Sequence, residues 1–154
     1  MNISLIRIGK LHLDFAQDGF LEYQKRLKHY CKFNDELLLV NSKSKDPEQI
    51  KKAEAEAILK KISSSDYVVL LDEKGKSINS IKWARQIEQF QIQNTNLVFV
   101  IGGAYGFDET VYKRANAMLS FSAFTFSHQL MPLLFGEQFY RAFTIIKGEP
   151  YHHS

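Results

Sequence analysis

The chain has 154 residues, 45% hydrophobic and 24% charged, which suits one globular domain (1–154) with a real core and excludes a disordered or fibrous chain. Its net charge of +3 is compatible with nucleic acid without requiring it. With one cysteine, Cys31, no signal-peptide layout and no apolar run of membrane-spanning length, a cytoplasmic protein without intramolecular disulfides or membrane contact is expected.

Ile3 to Ile8 reads as a first strand, with Gly9 and Lys10 at its C-terminal edge. Phe20, Tyr23, Leu27 and Tyr30 recur at helical spacing, with Lys25, Arg26 and Lys28 turned away. Leu37 to Val40 reads as a second strand. Asp46-Pro47-Glu48-Gln49 is a helix start, with Asp as N-cap and Pro at the first position, and Ile50, Ala53, Ala57 and Ile58 give that helix an apolar face. Tyr67 to Leu71 is a third, continuously apolar strand. Asn79 or Ser80 caps a helix whose Trp83, Ala84, Ile87 and Phe90 share a face.

Leu97 to Ile101 then runs straight into Gly102, Gly103 and, beyond Ala104-Tyr105, Gly106. An unbroken apolar strand is covered on both faces, as in a parallel sheet, and ligands bind at the C-terminal edge of such sheets. The glycines lack the spacing of a dinucleotide fingerprint and the Gly-Lys-Ser/Thr of a phosphate loop. Asp108 and Glu109 open the next helix, which extends to Asn116, and place carboxylates where a phosphate would bind. A cofactor without phosphate fits better; a plain strand-to-helix turn explains the glycines equally well. Met118 begins like a strand and continues as a small-polar and aromatic loop to Phe126. A last helix lies between Ser127 and Lys147, regular from about Met131, and Gly148 stops it. Its Leu133, Leu134, Phe135, Phe139 and Phe143 are a heavy apolar load, which points to a partner surface. The tail after Gly148 would by default be disordered. The alternation of strand and helix implies an α/β fold, a three-layer α/β/α sandwich around a mostly parallel sheet.

Ile8-Gly9-Lys10, Tyr23-x-x-Arg26-Leu27, Val98-Phe99-Val100-Ile101-Gly102-Gly103, Gly106, Leu119-Ser120-Phe121-Ser122, Thr125-Phe126, His128-Gln129, Glu137-Gln138, Tyr140-Arg141-Ala142 and Gly148-Glu149-x-Tyr151-His152 occur in order over essentially the whole chain. Together they resemble the small SPOUT-class methyltransferases, and among them the family that methylates N3 of a pseudouridine in bacterial large-subunit (23S) ribosomal RNA. The resemblance implies a C-terminal trefoil knot, a homodimer, S-adenosyl-L-methionine as cofactor, and ribosomal RNA in the assembled ribosome as partner. It implies cofactor contacts at Leu71, at Gly102 and Gly103, and along Phe121, Ser122, Ala123, Phe124, Thr125 and Phe126. Two departures stand out: Ser127 where the family usually has Pro, and His153 where it usually has a basic residue.

Methyl transfer from a sulfonium needs alignment and exclusion of water, and the imide N3–H must lose its proton. No metal is required, and no ligand cluster has metal spacing. Candidate catalytic groups are His128, Arg141, Tyr151 and His152. His128 is equally readable as a helix-start residue. Glu137 and Arg141, at i and i+4, form an ordinary ion pair by spacing; the resemblance gives Arg141 a substrate role and makes Tyr151 and His152 substrate-facing. The alternative is a non-catalytic ribosome-binding factor on the same fold.

Overall fold

The computed structural model describes residues 1–153. Its elements are β1 (Asn2–Ile8), α1 (Asp14–Leu27), β2 (Lys32–Leu38), α2 (Pro47–Leu59), β3 (Tyr67–Ser77), α3 (Ser80–Ile92), β4 (Leu97–Ile101), α4 (Glu109–Arg114), β5 (Ala117–Ser120) and α5 (Met131–Lys147). The five strands form one sheet in the order β2-β1-β4-β3-β5, and every pairing is parallel.

The sheet is covered on both faces, as the apolar strands require. Leu97, Phe99 and Ile101 of β4 join a core built with Phe20 and Leu27 of α1, Trp83 and Ile87 of α3, and Phe135, Phe139 and Phe143 of α5. Val98 and Val100 point the other way, towards Ala55 and Ile58 of α2 and Val111 of α4. This is strand alternation with two apolar faces. Phe99 and Phe139 meet edge-on at 4.8 Å, and Trp83 meets Phe139 at 5.1 Å.

Two expectations are corrected. The second strand runs Lys32–Leu38 rather than Leu37–Val40; it is an edge strand paired only to β1, so most of its Lys-Phe-Asn-Asp-Glu sequence, Lys32, Asn34 and Asp35, is exposed, with Phe33 and Glu36 half-buried. The apolar surface of α5 open to a partner narrows to Leu133 and Leu134, which stay half-buried, because Phe135, Phe139 and Phe143 are at most 1% exposed within the chain. The caps behave as read: Asp46 accepts from the Glu48 N–H, Asn79 from Lys82 and Asp108 from Thr110. Strand β3 is longer than its apolar run because it bulges over Asp72–Gly75 and rejoins β5 at Lys76 and Ser77. Among the described residues no helix is long and apolar enough to cross a membrane.

Candidate active site

A cleft of about 550 Å³ opens at the C-terminal ends of β3, β4 and β5. Leu71 to Lys74 form one wall, Ile101 to Phe107 the second, and Leu119 to Ser122 with Phe124 to Phe126 the third; Lys51, Tyr112, His128 and Met131 complete it. Of the expected cofactor residues, Leu71, Gly102, Gly103, Phe121, Ser122, Phe124, Thr125 and Phe126 line the cleft, and Ala123 does not.

Its first wall is acidic. The Tyr112 hydroxyl donates to Asp72 at 2.5 Å, and burial, followed by that bond, pushes the tyrosine up to about 12. Thr125 donates to Glu73 at 2.9 Å, joining the first wall to the third. The N-terminus of α4 is already occupied. Asp108 accepts from the Thr110 N–H at 2.9 Å and its hydroxyl at 2.7 Å, and these bonds hold its carboxyl below the usual range. The head of α4 is therefore not free for a phosphate.

The glycines answer to packing beneath the cleft. A side chain at Gly102 would meet the Phe107 ring at 3.0 Å, and one at Gly103 would fall on the carboxylate of Glu54. Gly106, at φ +81°, closes a turn by donating to the Gly103 carbonyl at 3.2 Å. On the third wall, Ser122 accepts from the Phe124 N–H at 3.0 Å, and Ser127, the departure from the family pattern, accepts from the Gln129 N–H at 3.2 Å. Gln129 then accepts from the His12 N–H at 2.6 Å and donates to the Lys10 carbonyl at 3.0 Å, tying the loop after β1 to this wall.

The remaining candidates gather elsewhere. The tail turns back at Gly148, φ +67°, and lies along α5. Arg141 pairs with Glu137 and reaches His152 Nδ1 at 3.2 Å. An arginine only donates, so Nδ1 carries the lone pair and the proton sits on Nε2. The Tyr151 hydroxyl donates to Glu137 at 3.1 Å and lies 3.1 Å from that of Tyr23, while Arg141 stands 4.8 Å over the Tyr151 ring. Burial first, then the Tyr23 bond, raises the Tyr151 phenol, which therefore stays protonated at neutral pH. None of Arg141, Tyr151 and His152 lines the cleft of the same chain. The structure thus places His128 in the cleft and the other three in a separate cluster.

A family model described as "Predicted SPOUT methyltransferase" matches residues 1–152. The chain belongs to the SPOUT methyltransferase family. Relatives of this SPOUT methyltransferase named "Ribosomal RNA large subunit methyltransferase H" include those of Christiangramia forsetii, 48% identical, and Flavobacterium johnsoniae, 46% identical; each alignment covers 99% of both chains. The Clostridium botulinum protein of that name is 46% identical over the same shares. A solved structure, a probable methylase family protein from Haemophilus influenzae, superposes with a TM-score of 0.53 at 16% identity, covering 99% of this chain and 70% of that one, and shares the fold.

The methyltransferase also has cleft residues that the sequence reading passed over: Asp72, Glu73, Phe107 and Tyr112. Asp72 and Glu73 follow an apolar strand directly, the one signal that could have marked them. Glu54 gave none, because it comes from a distant helix.

Proposed function

We propose that this enzyme methylates N3 of a pseudouridine in large-subunit ribosomal RNA, using S-adenosyl-L-methionine, as a homodimer acting on the assembled ribosome. The observation that carries the reading is the cleft at three parallel strand ends, with Asp72 and Glu73 on its first wall, in a chain whose full-length relatives are named for large-subunit rRNA methylation. The bound cofactor supplies a methyl group already activated on a sulfonium.

Asp72 and Glu73 favour a cation, and the capped N-terminus of α4 disfavours a phosphate-bearing nucleotide. Phe124, 81% exposed at the rim, offers a stacking face to an RNA base and helps to exclude water. Arg141 neutralises charge developing on the imide as N3–H is lost. Tyr151, kept protonated, serves as a hydrogen-bond donor rather than a base. His152 takes up a proton at Nδ1 only once that nitrogen leaves Arg141. The tail cluster then acts in the partner's cleft. The exposed Phe15 (63%) and Leu21 of α1 support a partner surface. The trefoil knot belongs to the same proposal, supported by α5, which follows edge strand β5 yet packs against both α1 and α3.

Calorimetry is expected to show S-adenosylmethionine or S-adenosylhomocysteine binding while ATP and NAD do not. Mass spectrometry of rRNA nucleosides from a gene-deleted strain is expected to show loss of one methylated pseudouridine. An unchanged nucleoside profile would overturn the substrate, and tight ATP binding would overturn the cofactor.

A further inference from the structure

Glu54 is the one charged side chain fully buried among the described residues, at 8% exposed on α2. The same helix buries Ala55 and Ile58 against the apolar side chains of β3, β4 and α4. Burial raises its pKa, opposed only by the Gly103 N–H. No charged side chain contributes. Lys51, one turn earlier, is held by Glu48 at 2.7 Å, and Asp108 at the head of the neighbouring α4 accepts from Thr110. The folded chain thus holds the Glu54 proton more tightly than the unfolded chain, so ionisation at neutral pH costs stability. A helix that needed only packing here would carry another alanine or isoleucine.

The geometry supplies a reason. A Cβ at Gly103 would lie 2.8 Å from Glu54 Oε2 and 2.9 Å from its Cδ. The carboxylate therefore occupies the space a side chain at 103 would take, directly beneath bare backbone. The upper side of that backbone, Gly102 to Phe107, is a wall of the cleft. From this juxtaposition we infer that Glu54 is a positioning residue for the cofactor, holding the Gly102–Gly106 loop from beneath with its carboxylate packed in the space a side chain at Gly103 would take. The inference rests on the reading of the cleft as the S-adenosylmethionine site. It also explains Gly103 differently from close approach to a ligand: the glycine makes room for a carboxylate.

The test measures S-adenosylhomocysteine affinity by calorimetry in the full-length protein and in Glu54→Gln, Glu54→Ala, Gly103→Ala and the double variant Glu54→Ala/Gly103→Ala. Removing the carboxylate that supports the loop is expected to weaken binding by about tenfold or more in Glu54→Ala, with KM for the cofactor rising and kcat at saturation kept. The Gln variant, of nearly the same size and shape, is expected to stay within about threefold. Gly103→Ala is expected to weaken binding in the wild-type background and to cost far less beside Glu54→Ala, where its methyl group has room. As pH falls, wild-type affinity is expected to drop relative to Glu54→Gln, which has no proton to gain. Wild-type affinity in Glu54→Ala, or equal cost of Gly103→Ala in both backgrounds, overturns the inference alone. Should Glu54→Ala not fold, parallel pH profiles of the wild-type and Gln proteins overturn it. A wild-type chain that does not bind S-adenosylhomocysteine overturns the cofactor reading and this inference with it.

Discussion

Deleting residues 151–154 is expected to lower methyl transfer to ribosomes by about 100-fold or more, the scale of a lost acid–base and positioning group, while fold and cofactor affinity stay nearly intact. Among the described residues the tail's side chains meet Tyr23 of α1 and Glu137, Tyr140 and Arg141 of α5. Removing it exposes Glu137 and Arg141 to water but leaves their ion pair in place. Its side chains are absent from the cleft of their own chain. If they act at all, they act in a cleft of the partner, so sedimentation at micromolar concentration should give twice 17.8 kDa. The decisive measurement mixes two inactive proteins, one carrying Gly103→Val and one lacking the tail. Heterodimers should regain activity, because one of their two composite sites has both an intact loop and an intact tail. Mixed dimers that form and stay inactive would sink the crossing tail. Full activity of the deletion protein on ribosomes would remove Tyr151 and His152 from the chemistry altogether.

Gly75→Ala should be the most damaging single methyl group in the protein. A Cβ at Gly75 would sit 2.6 Å from the Leu119 backbone nitrogen and carbonyl carbon and 2.8 Å from the Met118 carbonyl carbon. Those atoms belong to β5, and no rotamer change relieves a clash with backbone. The bulge over Asp72–Gly75 must lift from β5, which separates the first and third walls of the cleft and strains the Thr125–Glu73 bond between them. We expect a loss of about 3 kcal/mol or more, the upper range for overpacking. That corresponds to roughly 6–12 °C in the melting midpoint of a chain this size, with S-adenosylhomocysteine binding lost in the folded fraction. Gly148→Ala is the control. It also places a Cβ on a glycine, at φ +67°, but meets nothing within 4 Å, so only backbone strain of about 1 kcal/mol applies. Equal melting points for the two variants would show that the bulge yields freely and that the β3–β5 contact does not shape the cleft.

What the sequence by itself determined is whatever depends on neighbours along the chain. Five apolar residues from Leu97 to Ile101 required a strand covered on both faces, and the two cores supply both covers. Asp46, Asn79 and Asp108 announced helix starts because an N-cap bonds within its own first turn. The ordered motifs through Tyr151 and His152 carried the family, since they span the whole chain. Only the tertiary structure decided the rest. Edge strand β2 was misplaced because its polar residues make sense only at the rim of a sheet. The phenylalanines of α5 read as partner surface until α1 and α3 were seen to cover them. His128 fell into the cleft while Arg141, Tyr151 and His152 gathered around Glu137 and Tyr23, a division that helix phase and the turn at Gly148 set in space. Gly103 marked the loop in the sequence, but its reason, the Glu54 carboxylate beneath it, comes from a helix 49 positions earlier and became visible only when sheet and helix were packed together.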